Sequence, residues 1–233
     1  MAYIEIKNVK KEYLSDNYSD LVLDNISFDI KKNDVIAIMG PSASGKTTLL
    51  NLIGGILKPT DGSIIVDKTN VDKLKGRKLK KYIKNDISMI YQDHNLFNNL
   101  TALENIDLAN EVVKNNIDVL NIIKSVGLLY KMNDYPSTLS RGEKQRVMVA
   151  RALCKNAKVL LCDEPTTCLD DKGKKDVLKT ILSVSKKCKM TVIITTHDSK
   201  VASVCNKVIY LKNGKISKTT TNKKPKKVGE IKW

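Results

Sequence analysis

Apolar and polar positions alternate in two rhythms along this chain. Every second position is apolar over much of residues 3–9 and 21–30, the pattern of strands with one buried face, and a polar loop is expected between them at residues 15–20. Short, continuous apolar runs at residues 35–39 and 158–163 predict buried strands, and residues 63–67, 87–91 and 190–195 read as further strands. The other rhythm is helical. Residues 48–53 carry apolar side chains at helical spacing, the lysine-rich residues 71–84 read as a solvated helix, and residues 171–187 point Val177, Leu178, Ile181, Leu182 and Ser185 one way and lysines the other. From 96 to about 156 the helical rhythm takes over, with Leu103, Ile106, Leu108 and Val112, then Ile117, Leu120, Ile123 and Val126, at mostly three-to-four spacing. Residues 141–154 are apolar nearly all round from Val147 onward, which predicts a helix buried on several sides. Strands alternating with helices predict an α/β fold with a mainly parallel sheet and an inserted helical subdomain. Residues 208–217 read as a hairpin turning at Asn213 and Gly214.

One loop lies where this alternation gives it chemical meaning. Gly40, Pro41, Ser42, Ala43, Ser44, Gly45, Lys46, Thr47 and Thr48 fit the phosphate-binding pattern G-x-x-x-x-G-K-[ST], between a predicted buried strand and a predicted helix. The two glycines let the backbone curl so that successive N–H groups face an anion, and the helix N-terminus adds positive potential. Lys46 would reach the outer phosphates of a nucleotide and Thr47 would offer its hydroxyl to Mg²⁺. A glycine-rich turn that happens to contain Lys-Thr is the bland alternative, and both flanks argue against it. By itself the loop specifies a nucleoside triphosphate, and a kinase or GTPase fits as well as any other user.

Two later stretches narrow that choice. The strand ending at Asp163 is followed by Glu164 and Pro165, a Walker B arrangement in which Asp163 would hold Mg²⁺ and Glu164 would orient the attacking water. An exposed strand end accounts equally well for Asp-Glu taken alone; downstream of a P-loop the catalytic reading is the stronger. Ser140, with Glu143 three residues on, is a capping box for the helix that follows. The same helix start, with Gly142 beside a serine hydroxyl, also suits a γ-phosphate.

Residues 139–146, Leu-Ser-Arg-Gly-Glu-Lys-Gln-Arg, resemble the LSGGQ-type signature of ABC ATPases, shortly upstream of Walker B as in that family. The resemblance covers nearly the whole chain except its basic end. It implies a P-loop NTPase fold with a mainly parallel core sheet, an N-terminal antiparallel β-subdomain and an inserted α-helical subdomain. It further implies that Gln92 is the Q-loop glutamine, touching Mg²⁺ and water; that Asp170 belongs to the D-loop; that His197 contacts the γ-phosphate; and that Tyr13 stacks on adenine. Taken singly, a His after a strand or a Tyr in a loop is more often an ordinary packed or solvated side chain. Within the family, residues 61–67 and 92–106 look like the branch of macrolide exporters (MacB), lipoprotein-release ATPases (LolD) and cell-division FtsE proteins. Arg141, Glu143, His94 and Asn98 depart from the usual pattern.

Composition changes the picture little. The chain has 233 residues, 42% of them hydrophobic, with 41 Lys+Arg against 25 Asp+Glu and a net charge of +16. That excess suits nucleic acid or an anionic membrane, yet it is scattered lysine with only 5% aromatics, so a nucleic-acid partner is not expected. The five cysteines, Cys154, Cys162, Cys168, Cys188 and Cys205, form no C-x-x-C pair and predict reduced thiols in a cytosolic setting. No apolar run approaches the roughly 20 residues that span a bilayer, and the first residues lack the apolar stretch of a secretion signal. The expectation is one ATP-binding domain over residues 1–222, with its helical subdomain at about 96–156, and a flexible basic tail over 223–233. It is expected to form a homodimer on binding ATP and Mg²⁺ and to drive a separate transmembrane permease subunit from the cytoplasmic face of the membrane, in export or mechanotransmission. An FtsE-like regulatory ATPase that moves no solute is the alternative, and a soluble ABC ATPase acting on nucleic acid the weaker third.

Overall fold

The computed structural model describes residues 2–15, 18–92, 95–114, 117–167 and 169–232. His94, Cys168 and the centre of the loop expected at 15–20 lie outside the described residues.

Two sheets meet across one helix. The smaller is antiparallel, in the order β2-β1-β4-β5, from β1 (Ile4–Ser15), β2 (Tyr18–Ile30), β4 (Asp61–Val66) and β5 (Thr69–Asn70). The larger has the order β10-β9-β3-β8-β7-β6. It comprises β3 (Val35–Met39), β6 (Ile87–Ile90), β7 (Val159–Asp163), β8 (Thr191–Thr196), β9 (Lys207–Lys212) and β10 (Lys215–Thr221). All its pairings are parallel except the terminal hairpin of β9 and β10.

Strand periodicity distributes the apolar residues between the two faces of this sheet. Ile36, Ile38, Val159 and Leu161 pack with α1 (Lys46–Ile53) and the antiparallel sheet. Ala37, Leu160, Cys162, Val192 and Ile194 pack with α5 (Arg141–Cys154) and α6 (Asp171–Lys187). Burial on both faces is why the central strands read as unbroken apolar runs. Around these sit α2 (Gly76–Asn85), α3 (Ala102–Val113), α4 (Val119–Ser125) and the short α7 (Ser199–Ala202). Helices α3, α4 and α5 are those within residues 96–156. The strand order matters most for the site: β3 lies beside β8 and β8 beside β7, so three carboxyl ends open side by side.

Three expectations change. Where a polar loop was expected at 15–20, the hairpin continues as strand, with Tyr13 opposite Asp20, Leu14 opposite Ser19 and Ser15 opposite Tyr18. Tyr13, Leu14, Ser19 and Asp20 are exposed, so no hydrophobic alternation marks the pairing. The lysine-rich helix starts at Gly76 rather than near Val71, which is buried in the core. The basic end does not stand free. Asn222 donates to the Cys205 carbonyl at 2.8 Å, the Lys226 N–H donates to the Ser203 carbonyl at 3.1 Å, and Val228 and Ile231 are buried in the same core as α6. Two apolar residues among lysines were too short a signal to mark this packing.

Cys154, Cys162 and Cys205 are free and buried. Burial pushes the thiols of Cys154 and Cys205 up to about 12 and that of Cys162 higher, so all three stay protonated as small apolar groups.

Candidate functional site

The P-loop leaves the end of β3 and folds over the start of α1. Ala43 (φ 60°) and Gly45 (φ 96°) take left-handed backbone conformations. A β-carbon on Gly45 would stand 2.6 Å from a Leu23 methyl, and one on Gly40 would stand 2.2 Å from the Leu211 carbonyl oxygen. The loop is therefore wedged between β2 and β9 at two points where only glycine fits. Pro41, Ser42 and Ala43 are exposed at the rim, Ser44, Gly45 and Lys46 are buried, Thr47 is exposed and Thr48 half-buried. The Lys46 ammonium donates to the carbonyls of Gly40 (3.0 Å) and Pro41 (2.8 Å), which holds it inside the loop. The Ser44 hydroxyl is buried with no hydrogen-bond partner, a polar atom turned into a cradle made for an anion.

The ends of β7 and β8 complete this cluster. Thr47 donates its hydroxyl proton to Asp163 Oδ2 at 2.7 Å, so the two oxygen groups predicted to share a cation are already adjacent. A hydroxyl and a carboxylate are the hard oxygen donors that suit Mg²⁺. Among the described residues no group of three or more His, Cys, Asp or Glu side chains is placed to hold a metal ion by itself. Glu164, at φ 46°, has a side chain only 12% exposed. Its Oε1 lies 3.4 Å from the Lys46 ammonium, and its Oε2 lies 2.8 Å from His197 Nδ1 and accepts from the Thr167 hydroxyl at 2.8 Å. His197, beyond the end of β8, leaves most of its ring open to solvent.

A second cluster gathers at the start of α5. Ser140 caps this helix by accepting from the Glu143 N–H at 3.3 Å, while Glu143 Oε2 accepts from the Ser140 N–H at 2.8 Å. Gly142 faces Leu169, and the Asp170 carboxylate caps α6 by accepting from the Gly173 N–H at 2.9 Å. Gln145 donates to the Pro165 carbonyl at 2.9 Å, tying this cluster to the chain just after Glu164. No hydrogen bond or ion pair joins Ser140 or Gly142 to the P-loop among the described residues. The geometry thus joins Lys46, Thr47, Asp163, Glu164 and His197 through direct polar contacts, while Ser140, Gly142 and Asp170 belong to the second cluster.

Gln92 follows the end of β6, exposed and without a hydrogen bond to any described residue. Tyr13 lies on β1, 41% exposed, with the Lys11 ammonium 4.8 Å from its ring. Lys11 pairs with Leu23, the residue against Gly45, so Tyr13 stands two positions beyond the strand pair that touches the P-loop. Sequence reasoning missed Thr195 and Thr167. Thr195 is fully buried, donates to Asp163 Oδ1 at 2.6 Å and accepts from the Glu164 N–H at 3.0 Å. Its one visible signal was a hydroxyl at the end of a predicted strand with an apolar centre.

Residues 23–167 match the family described as ABC transporter. The chain is 39% identical over 220 residues to the methionine import ATP-binding protein MetN 2 of Listeria innocua, across 92% of this chain and 64% of that protein. It is 36% identical over 233 residues to a putative ABC transporter ATP-binding protein, the MG065 homolog of Mycoplasma pneumoniae, across 99% of this chain and 50% of that one. The chain thus spans between half and two thirds of the length of these relatives. Among solved structures, an ATP-binding cassette in a dimeric post-hydrolysis state with ADP and Pi superposes with a TM-score of 0.88 at 33% identity, covering 94% of this chain and 98% of that one. With the P-loop, the Asp163–Glu164 strand end and the helix capped by Ser140 placed as described, the chain belongs to the ABC transporter family as one of its ATP-binding cassettes.

Proposed function

We propose that this chain binds and hydrolyses ATP as the energy-coupling subunit of an ABC transporter. In this reading it forms a homodimer around two ATP·Mg²⁺ and drives a transmembrane permease subunit on a separate polypeptide. The observation that carries the reading is the Glu164 carboxylate, held between Lys46 and His197 at the mouth of a phosphate cradle. Backbone N–H groups of Ser42 through Lys46 bind the substrate phosphates, and Lys46 moves from the loop carbonyls to the outer phosphate oxygens. Glu164 orients a water in line with the γ-phosphorus and accepts its proton as that oxygen bonds to phosphorus; the bond to the ADP oxygen breaks, giving ADP and inorganic phosphate. His197 fixes the Glu164 carboxylate and contacts the transferred phosphoryl group. Thr47, Asp163 and Gln92 would hold Mg²⁺, which neutralises charge developing on the phosphate oxygens. Tyr13 takes the adenine face.

Ser140, Gly142 and Asp170 serve the partner's nucleotide. Within one chain they make no direct polar contact with the P-loop among the described residues, and the dimeric state of the superposing cassette supports placing them across an interface. No helix among the described residues is long and apolar enough to cross a membrane, so the permease would hold the cassette at the cytoplasmic face. Residues 61–67 and 92–106 favour export or mechanotransmission of the macrolide-exporter and lipoprotein-release type. The 39% identity to a protein named for methionine import supports import as the second reading. The membrane protein that co-purifies decides between them.

Replacing Glu164 with Gln tests the chemistry. Turnover is expected to fall by about 100-fold or more while nucleotide binding persists, as befits loss of a general base. Parent-level hydrolysis by the variant would overturn the assignment.

A further inference from the structure

We propose that Thr195 is a positioning residue that sets both carboxylates of the hydrolytic site through a single hydroxyl group. The inference rests on the roles proposed above for Asp163 and Glu164. Thr195 lies on β8 directly beside Asp163 in the parallel pairing and is fully buried. Its one hydroxyl proton has two acceptors in reach, the Cys162 carbonyl at 3.4 Å and Asp163 Oδ1 at 2.6 Å. The shorter distance and the charge on the acceptor assign the proton to the carboxylate. A lone pair on the same oxygen accepts the Glu164 N–H at 3.0 Å.

Each bond fixes something the reaction needs. With Oδ1 tied to Thr195, the Asp163 carboxylate cannot rotate, and its Oδ2 stays on the side of Thr47, where the cation is expected. The second bond anchors the backbone of Glu164 in a left-handed conformation that a residue with a β-carbon seldom adopts (φ 46°). That conformation sends the Glu164 side chain back towards Lys46 and His197 instead of onward with the chain. A side chain of the same shape without the hydroxyl would fill the space in β8 and leave the Asp163 oxygen and the Glu164 N–H unpartnered in a buried site.

The test compares Thr195→Val, which keeps the shape, with Thr195→Ser, which keeps the hydroxyl. Binding of a fluorescent ATP analogue is titrated with MgCl₂, and steady-state hydrolysis is measured in parallel. For Thr195→Val, analogue binding without Mg²⁺ is expected to match the parent. The MgCl₂ concentration giving half of the Mg²⁺-dependent change should rise about tenfold, and kcat should fall by a similar factor, the usual cost of losing a group that orients a metal ligand. Thr195→Ser should stay close to the parent in both readouts. Parent-like Mg²⁺ dependence in Thr195→Val, or equal impairment of the Val and Ser variants, would overturn the proposal. Should the Val variant not fold, Thr195→Ala measured against Thr195→Ser decides by the same criteria. Asp163→Asn and Glu164→Gln are run alongside: parent-level turnover in both would overturn the underlying reading of the site, whereas losses in both with no effect of Thr195→Val would overturn this inference alone.

Discussion

At the scale of single residues, the site depends on positions that tolerate no alternative side chain. Gly40 is the clearest, because a β-carbon there would meet the backbone oxygen of Leu211, which cannot swing away as a side chain can. Gly40→Ala is expected to cost about 1–3 kcal/mol, the usual cost of overpacking a tight site, and to weaken nucleotide binding with it. Urea denaturation and analogue titration check the two halves. The P-loop was legible in the sequence because its spacing, glycines and lysine are local. Asp163 and Glu164 became legible once the loop was recognised. Thr195 and Thr167 were not, since their hydrogen bonds to Asp163 and Glu164 arise from strand pairing and a turn that no local pattern encodes.

At the scale of elements, α5 carries two demands on one terminus. Its capping box supports the helix, and Ser140 is also assigned to a partner's nucleotide. Ser140→Ala should therefore cost about 1 kcal/mol of stability in thermal or urea unfolding, the usual value for a lost cap, and should separately weaken any ATP-held dimer. The Glu143 carboxyl is held below its ordinary range, chiefly by the Ser140 backbone N–H it accepts. A depressed folded value means the box stabilises the helix above the ordinary glutamate pKa and loses that contribution as pH falls through the lower folded value. Unfolding measured from pH 6 down to about pH 3 should therefore lose less stability in Glu143→Gln than in the parent. Helix α5 was readable to its terminal residues because cap and apolar surface agree. The hairpin of β1 and β2 was not, because its far end has both faces in water and so no period to read.

At the scale of the whole molecule, strand order turns scattered motifs into one site. With β3 beside β8 and β8 beside β7, the P-loop, His197 and the Asp163–Glu164 pair emerge at neighbouring strand ends, although the sequence places the P-loop more than a hundred residues before the other two. The alternation of elements made a parallel sheet legible and the helical rhythm over 96–156 the inserted helices, while the antiparallel part came with the resemblance to a family. The final residues behave differently from a free tail: Val228 and Ile231 close the core beneath α6. Ile231→Ala should lower stability by about 1–3 kcal/mol, less than a deeply buried isoleucine because this one lies at the edge of the core, with hydrolysis at moderate temperature retained. An unchanged melting temperature would show that the packing contributes nothing.

The central claim is that two copies share each nucleotide, one supplying the P-loop cluster and the other the start of α5. Sedimentation velocity of Glu164→Gln with ATP and MgCl₂ tests it most directly. The account predicts a dimer with ATP and a monomer with ADP. Adding Ser140→Arg, which places bulk and charge at the proposed contact, should return the ATP-bound protein to monomer while each chain still binds nucleotide. A Glu164→Gln protein that stays monomeric at saturating ATP, or a dimer indifferent to Ser140→Arg, would contradict it.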